Sequence, residues 1–219
     1  MRRLAALMLV LLVMASGLVV CAAGGGEPTS APAAAAAAAE DEKPELAPIV
    51  ERKIEFFDFT YKTTDDRPFS LRDYAAGKSL VVVEYFAGWC KNSNRNGHVM
   101  ERLWTRYRDR GLGVVGVAEY SDPDELRIHI NRIGIDYPVV VETKNRWDRK
   151  DSTHFKYRRA VGDKRKWGTP FYVIIEARDI EPPSEKSPLA RRVFTVSGEM
   201  VESEAEQFIE QRLTRGAGK

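Results

Sequence analysis

Two near-continuous apolar runs constrain the fold of this chain more than any other feature of its sequence. Leu80–Phe86 and Leu112–Ala118 have the composition of strands that are buried on both faces of a sheet. Between them, residues 94–110 carry apolar side chains at helical spacing, and Pro123–Ile133 repeats that spacing ahead of a short strand at residues 137–142. Strands that alternate with amphipathic helices predict crossover connections, and therefore an α/β fold with a partly parallel sheet.

The flanking segments complete a single predicted domain. Residues 56–61 and 68–71 are expected to pair as an N-terminal hairpin that leads into a helical turn at residues 72–75. In the second half of the chain we expect a polar insert at residues 177–190. Two strands and a last helix are predicted around it, at residues 171–175, 192–196 and 203–213.

The first 23 residues have the pattern of an export segment. Two arginines precede an apolar run at residues 4–20, which ends at Cys21. This pattern resembles a bacterial lipoprotein signal, which implies lipidation of Cys21 and anchorage to the membrane. Cleavage after Ala23 as a secretory signal peptide, or retention as a marginally long transmembrane anchor, are the alternatives. Each of the three predicts an exported domain in the cell envelope, facing the periplasm or the outer surface.

Residues 24–48 are predicted to be a disordered tether between this segment and the folded domain at residues 49–216. The stretch is rich in Ala, Pro and Gly and has almost no apolar side chains large enough to bury. An anchored domain needs such a spacer to clear the membrane surface.

The overall composition excludes several classes of function. A net charge of +2 is too small to indicate a nucleic-acid partner, and no basic arm with interleaved aromatics is present in the sequence. The three histidines have no metal-ligand spacing, so neither a metal site nor a cofactor is expected. With Cys21 assigned to processing or anchoring, Cys90 has no partner for an internal disulfide.

The string Glu84-Tyr85-Phe86-Ala87-Gly88-Trp89-Cys90-Lys91-Asn92-Ser93 contains the most informative chemistry. Cys90 follows a predicted buried strand and lies where the next helix begins. Backbone N–H groups at a helix N-terminus stabilise a thiolate, and the ammonium group of Lys91 acts in the same direction. The pattern therefore predicts a reactive thiol.

The chain resembles the thioredoxin superfamily, most closely the secreted thiol–disulfide oxidoreductases of the TlpA and ResA type. Trp89-Cys90 after the strand is similar to the start of that family's Trp-Cys-x-x-Cys site, and Gly168-Thr169-Pro170 before a strand is similar to its cis-proline loop. The resemblance implies a thioredoxin-like fold, with a central mixed β-sheet flanked by helices, an N-terminal hairpin and a helical insertion at Pro123–Ile133.

The resemblance also implies roles for individual residues. A cis bond at Thr169–Pro170 would leave the Thr169 backbone free to bind an extended substrate beside the sulfur. Glu84 falls where thioredoxin has a buried acid, and burial would let its carboxyl exchange a proton during catalysis. The alternative for Glu84 is a structural ion pair with a Lys or Arg. Trp89 is expected to shield the site, and Lys91 and Asn92 to make its surface polar.

Ser93 occupies the position of the family's second cysteine, so the site is Cys-x-x-Ser. A monothiol can form a mixed disulfide with a protein or a low-molecular-weight thiol or disulfide, but an external thiol must resolve it. We therefore expect an extracytoplasmic thiol–disulfide oxidoreductase or isomerase acting through Cys90. A non-catalytic binding module of the same fold is the alternative. A one-cysteine peroxidase fits less well, because Ala87 stands where that chemistry has a Thr or Ser hydroxyl.

A basic stretch precedes the proline loop. Residues 144–166 contain ten Lys or Arg and only three acidic residues. The stretch is either a solvated surface or a positive rim for an anionic partner, such as lipid headgroups or an acidic thiol.

Overall fold

The computed structural model describes residues 43–184 and 187–216. The predicted export segment, with Cys21, and most of the predicted tether lie outside these residues. Within them, a single compact unit begins at Lys43. Its strands are β1 (Leu46–Ala47), β2 (Val50–Phe56), β3 (Thr60–Thr63), β4 (Pro68–Ser70), β5 (Leu80–Phe86), β6 (Leu112–Ala118), β7 (Val139–Val141), β8 (Phe171–Glu176), β9 (Ala190–Val196) and β10 (Glu199–Met200).

Five α-helices flank these strands in the described part of the chain. They are α1 (Leu71–Ala75), α2 (Lys91–Tyr107), α3 (Pro123–Ile133), α4 (Thr153–Ala160) and α5 (Glu202–Gly216). Short 3₁₀ turns lie at Arg108–Arg110, Arg146–Lys150 and Ala177–Asp179. None of the helices in residues 43–184 and 187–216 combines the length and apolar character needed to cross a bilayer.

The main sheet has the order β2-β9-β8-β5-β6-β7-β3-β4, and β1 pairs separately with β10. Strands β5, β6 and β7 are parallel neighbours, whereas the other pairs in the main sheet are antiparallel. The mixed sheet and the crossovers through α2 and α3 confirm the predicted α/β class, including the helical insertion. Residues that alternate along β5 face opposite layers, so that α2, α3 and α5 cover one face while α1 and α4 cover the other.

Several predicted boundaries differ from the structure. The hairpin predicted at residues 56–61 and 68–71 forms between β3 and β4. Phe56 belongs instead to the preceding strand β2, which pairs with β9 at the edge of the sheet. The predicted tether extended to residue 48, but Leu46–Ala47 already pairs with Glu199–Met200. The folded domain therefore begins before the predicted boundary at residue 49.

Helix α4 and the turn before it were not predicted from the sequence. The Ser152 side chain accepts a hydrogen bond from the backbone N–H of Phe155 and caps this helix. Its inward-facing residues are His154 and Arg158, both fully buried. Because these residues are polar, the segment shows no helical spacing of apolar side chains. The basic composition of this stretch therefore gave no sign that a helix packs against the core here.

Candidate redox site

Cys90 is the N-cap residue of α2 and lies directly beyond the carboxyl end of β5. Its backbone is extended, with φ −78° and ψ 123°, and its side chain is half-buried. The amide of Asn94 donates hydrogen bonds to the carbonyl oxygens of Gly88 and Cys90, at 3.2 and 2.9 Å. Asn94 thus fixes the turn that presents the sulfur at the start of the helix.

The peptide bond between Thr169 and Pro170 is cis, as the resemblance implied. The Cys90 thiol donates a hydrogen bond to the Thr169 carbonyl oxygen at 3.3 Å. The sulfur and the proline loop therefore form one site, although 79 positions separate Cys90 and Thr169 in the sequence.

Two arginine side chains, one half-buried and one fully buried, hold this proline loop in place. The Arg165 guanidinium donates to the carbonyl oxygens of Gly168 and Pro170, at 3.1 and 3.2 Å, and forms an ion pair with Asp163. The fully buried Arg158 also pairs with Asp163, at 3.4 Å, and lies directly against Gly168. These contacts show that part of the basic stretch faces inward and supports the site.

Ser93 is fully buried, and its hydroxyl accepts a hydrogen bond from the backbone N–H of Ala87 at 3.3 Å. It does not cap α2, for which no side-chain cap bond is found at the N-terminus. Among the described residues, the recorded Cys90 thiol bond goes to Thr169 and not to Ser93. At the position of the second thiol of a dithiol site, this chain therefore has a hydroxyl that accepts a hydrogen bond from the backbone.

Glu84 lies in the middle of β5 and is buried, with 1% of its surface exposed. Burial raises its pKa to about 7, although hydrogen bonds from Tyr137 and Tyr172 act in the opposite direction. The two phenol oxygens lie 2.7 and 3.2 Å from the carboxylate oxygens. Within the described residues, no Lys or Arg forms an ion pair with Glu84, so the geometry does not match the structural ion pair considered above.

Tyr172 extends this network to Asn96. Its single hydroxyl hydrogen lies within reach of Glu84 and of the Asn96 amide oxygen, which is 2.6 Å away. Burial raises the pKa of Tyr172, and the charges of Glu84, Glu199 and Cys90 raise it further. Tyr172 was predicted only as part of a strand. The contact between its hydroxyl and the buried Glu84 depends on the tertiary structure, and the alternation of residue types along the strand does not indicate it.

Comparisons with known proteins agree with this geometry. A family model described as AhpC/TSA matches residues 53–157. The thioredoxin-like protein YneN of Bacillus subtilis (strain 168) is 33% identical over 91 residues, which cover 40% of this chain. The match spans about half of that relative, 51% of its length.

Two solved structures share the fold over most of their length. A thiol:disulfide interchange protein of the thioredoxin family from Chlorobium tepidum TLS has a TM-score of 0.54 and 20% identity, covering 74% of this chain and 97% of that one. A thiol:disulfide interchange protein from Bacteroides sp. has a TM-score of 0.52 and 14% identity, covering 75% and 91%. The domain therefore has a thioredoxin-like fold.

Trp89 forms one wall of the site in this thioredoxin-like domain. Its indole N–H donates to the Tyr120 carbonyl oxygen at 2.9 Å, and its ring meets that of Trp167 edge to face, with centroids 5.3 Å apart. The Arg146 guanidinium lies over the Trp89 ring at 4.7 Å. The ring is therefore fixed beside Cys90, and its shielding role stays a prediction.

Lys91 and Asn92 occupy the first turn of α2. Lys91 is exposed as the first residue of the helix. The Asn92 amide donates to the Glu45 carboxylate at 3.0 Å and its oxygen accepts from Arg95 at 2.6 Å. Asn92 thus connects the helix to the segment before β1, a contact that the sequence did not indicate.

Two further features bear on the alternatives considered from the sequence, namely the residue at position 87 and the grouping of possible metal ligands. Ala87 is buried and has no hydroxyl to offer at the position where a peroxidase would have one. In residues 43–184 and 187–216, no group of three or more His, Cys, Asp or Glu side chains is placed to hold a metal ion.

Proposed function

We propose that this protein is an extracytoplasmic monothiol thiol–disulfide oxidoreductase or isomerase that acts through Cys90. The observation that carries the proposal is the contact between the Cys90 sulfur and the carbonyl oxygen of Thr169, next to cis-Pro170. It brings the one thiol of the predicted domain to a loop that can pair with an extended substrate. Both structural relatives are thiol:disulfide interchange proteins, which supports the same chemistry here.

The proposed reaction exchanges one disulfide for another. The Cys90 thiolate attacks a sulfur of a substrate disulfide, a Cys90–substrate bond forms, and the second substrate sulfur leaves as a thiolate. Ser93 has no sulfur with which to break the new bond. Two external thiols complete a reduction: the first attacks the Cys90 sulfur and releases the substrate thiolate, and the second displaces Cys90 and leaves as a disulfide with the first. In an isomerisation, the substrate's own thiolate displaces Cys90 instead, and the substrate disulfide is rearranged.

Glu84 and Tyr172 are the proposed proton-handling groups behind the sulfur. With a pKa of about 7, Glu84 is divided between its charged and neutral forms near neutral pH. Tyr172 interacts electrostatically with both Glu84 and Cys90. This arrangement supports a carboxyl group that takes up or gives back a proton as the charge on Cys90 changes.

The experiment compares serine and cysteine at position 93. In a Cys21→Ala background, where Cys90 is the only remaining cysteine of the sequence, the protein is incubated with an oxidised peptide disulfide. We expect a Cys90–peptide adduct that persists until a thiol is added. Ser93→Cys should lower the adduct at least about tenfold, because the new thiol resolves it within the molecule. Mass spectrometry without reductant measures both species.

Two variants make this test decisive. Ser93→Ala should accumulate as much adduct as the unsubstituted protein, since neither side chain can resolve a disulfide. Cys90→Ala should form none. Failure of the Cys90 protein to react with any peptide disulfide would exclude the proposed chemistry.

A non-catalytic binding module is the second candidate, and the buried hydroxyl of Ser93 favours it. The Ser93 hydroxyl accepts a hydrogen bond from the Ala87 backbone and so preserves the local fold, but it cannot take part in dithiol chemistry. Under this alternative, a Cys90→Ala strain would keep the full cellular activity of the protein. Under the monothiol proposal it would lose that activity, together with every disulfide-linked partner isolated under nonreducing conditions.

We also propose that residues 1–23 direct export and that Cys21 is lipidated. The support is the charged start followed by an apolar run that ends at this cysteine. The mass of the mature N-terminus distinguishes the outcomes: a lipidated Cys21, cleavage after Ala23, or an intact anchor. Either of the last two would exclude the lipoprotein.

A further inference from the structure

A cavity of about 720 Å³ opens beside the redox site, lined mainly by the part of the basic stretch that faces outward. We call it the cationic cleft. Asp122 is its one acidic lining residue. The cations that line it are Lys144, Arg146, Arg149, Lys150 and Lys166.

The positive charge of the cationic cleft is poorly neutralised. Within the described segments, no acidic side chain forms an ion pair with Lys144, Lys150 or Lys166. Arg146 does have an acidic partner, Glu125, at 2.8 Å. The Asp122 carboxylate is occupied as the cap of α3, where it accepts from two backbone N–H groups. The cleft therefore presents an excess of positive charge to solvent, and an anionic ligand complements it.

Two indole rings give the cationic cleft an apolar surface as well. Trp147 is 92% exposed, so its ring is open to contact with the apolar part of a ligand. Trp167 lies under the guanidinium of Arg149 and the ammonium of Lys166, at 5.2 and 5.5 Å from the ring centroid. Side chains with a carboxylate beside an aliphatic stem fit such a mixture of cations and rings.

The cationic cleft adjoins the reactive sulfur. Trp167 is the third residue before Pro170, and its ring contacts that of Trp89, the neighbour of Cys90 in sequence. An extended peptide advances about 3.3 Å per residue. A substrate whose cysteine meets Cys90 therefore places side chains only a few positions away on the cleft.

We propose that the cationic cleft selects peptide segments with acidic residues flanking the reactive cysteine. This inference rests on the proposed function and names its substrate class. A protein segment is favoured over a lipid surface because Trp89, the neighbour of Cys90, contacts two residues of the cleft, Arg146 and Trp167. An occupant of the cleft therefore lies next to the candidate redox site, and only a segment that brings its own sulfur makes use of that position.

The test measures how fast Cys90 reacts with peptides whose cysteine is activated by a 2-thiopyridyl group. The Cys90 thiolate attacks the peptide sulfur, a Cys90–peptide disulfide forms, and 2-thiopyridone leaves, so its absorbance reports the rate. Three peptides differ only in whether Glu, Gln or Lys flanks the cysteine. At low ionic strength we expect the Glu peptide to react about tenfold faster than the Gln peptide, and the Lys peptide to be slowest. At about 1 M salt, where the screening length is about 3 Å, the difference should largely vanish.

A pair of charge-reversal variants locates the effect. Lys144→Glu with Lys150→Glu reverses two cations of the cleft and should bring the Glu-to-Gln rate ratio close to one. Lys156→Glu with Arg159→Glu reverses two exposed cations of α4 that do not line the cleft, and changes the net charge equally. This control should keep the ratio of the unsubstituted protein.

The outcomes separate this inference from the proposed function. If no peptide reacts, the thiol-exchange proposal fails. If the peptides react at equal rates, or if both double variants lower the ratio alike, exchange stands and the cleft proposal is overturned. Binding to vesicles of phosphatidylglycerol and phosphatidylcholine without discrimination among peptides would also overturn it, and would reassign the cleft to lipid.

Discussion

The residue at position 93 limits what the Cys90 thiol can complete. Ser93 is fully buried in the first turn of α2, and its hydroxyl accepts the Ala87 N–H, so the turn keeps a satisfied hydrogen bond without a second sulfur. Removing that acceptor would leave a buried donor unpaired, at a cost of about 1–3 kcal/mol. The serine therefore preserves the local structure while it removes the resolving step of a dithiol site.

Glu84 should make the stability of the folded protein depend on pH. Burial raises its pKa to about 7 from an ordinary value of 4.5. Between these pH values the folded chain binds the proton more tightly than the unfolded chain, so the stabilisation is complete below about pH 4.5 and is lost as the pH rises through 7. The loss is about 3 kcal/mol at most. Glu84→Gln, which does not titrate, should lack it.

Denaturant unfolding of both proteins from pH 4.5 to 8 measures this effect. The free energy of unfolding of the unsubstituted protein, relative to Glu84→Gln, should fall steadily across the range. His129 and His154 have lowered pKa values because of burial, so they act in the opposite direction, but they are present in both proteins and cancel in the difference. A difference that does not change with pH would show that Glu84 stays charged in the fold.

At the scale of the elements, the proline loop depends on a glycine packed against a buried guanidinium. A Cβ atom at Gly168 would collide with the Arg158 guanidinium, and the residue has φ +68°. Gly168→Ala should therefore destabilise the protein by about 1–3 kcal/mol through overpacking, in addition to the backbone strain, and displace the loop from Cys90.

Gly162→Ala is the matched control for this prediction. Gly162 has φ +85°, but a Cβ atom there meets nothing within 4 Å. Both substitutions carry the strain of a left-handed alanine, about 1–2 kcal/mol, and only one carries the collision. Thermal unfolding should show the larger loss for Gly168→Ala, and the reaction of Cys90 with a peptide disulfide should slow in that variant alone. Equal losses would contradict the packing argument.

Sequence patterns predicted the elements whose buried faces consist of apolar residues that lie close together in the chain. Strands β5 and β6 and helix α3 have the predicted bounds, because continuous apolar runs and a capped amphipathic segment identify them. Strand β2 alternates between half-buried and exposed residues and lies at a sheet edge, so its charged side chains obscured it. Helix α4 buries Arg158, whose partner Asp163 becomes apparent only in three dimensions.

The same distinction applies to the candidate site. The position of Cys90 at a helix N-terminus and the cis-proline loop followed from short motifs and from their resemblance to a known family. The partners of Glu84 could not be predicted: Tyr172 lies in the neighbouring strand β8 and Tyr137 in the segment before β7, and both resemble ordinary apolar positions in the sequence. Hydrogen bonds between distant segments depend on sheet register, which one sequence does not determine.

At the scale of the whole domain, the residues before β1 connect the start of the described domain to the candidate redox site. The Glu45 carboxylate accepts hydrogen bonds from Asn92 in α2, at 3.0 Å, and from Arg165, at 3.1 Å, while its backbone N–H donates to Glu199. Arg165 in turn holds the proline loop. One exposed side chain therefore links the start of the domain, the active-site helix and the loop that faces Cys90.

Glu45→Ala should loosen this junction in the full-length protein. Because Glu45 is exposed, the cost in unfolding free energy should be modest, about 1 kcal/mol or less. Its more specific consequence is local: the strand Leu46–Ala47 should detach more often, so that the backbone amides of this strand exchange their hydrogens with solvent several times faster. Glu55→Ala, which removes an exposed ion pair between β2 and Arg191, is the control and should leave that exchange unchanged. If the amides of Leu46–Ala47 exchange at the same rate in both variants, Glu45 does not hold the N-terminal segment in place.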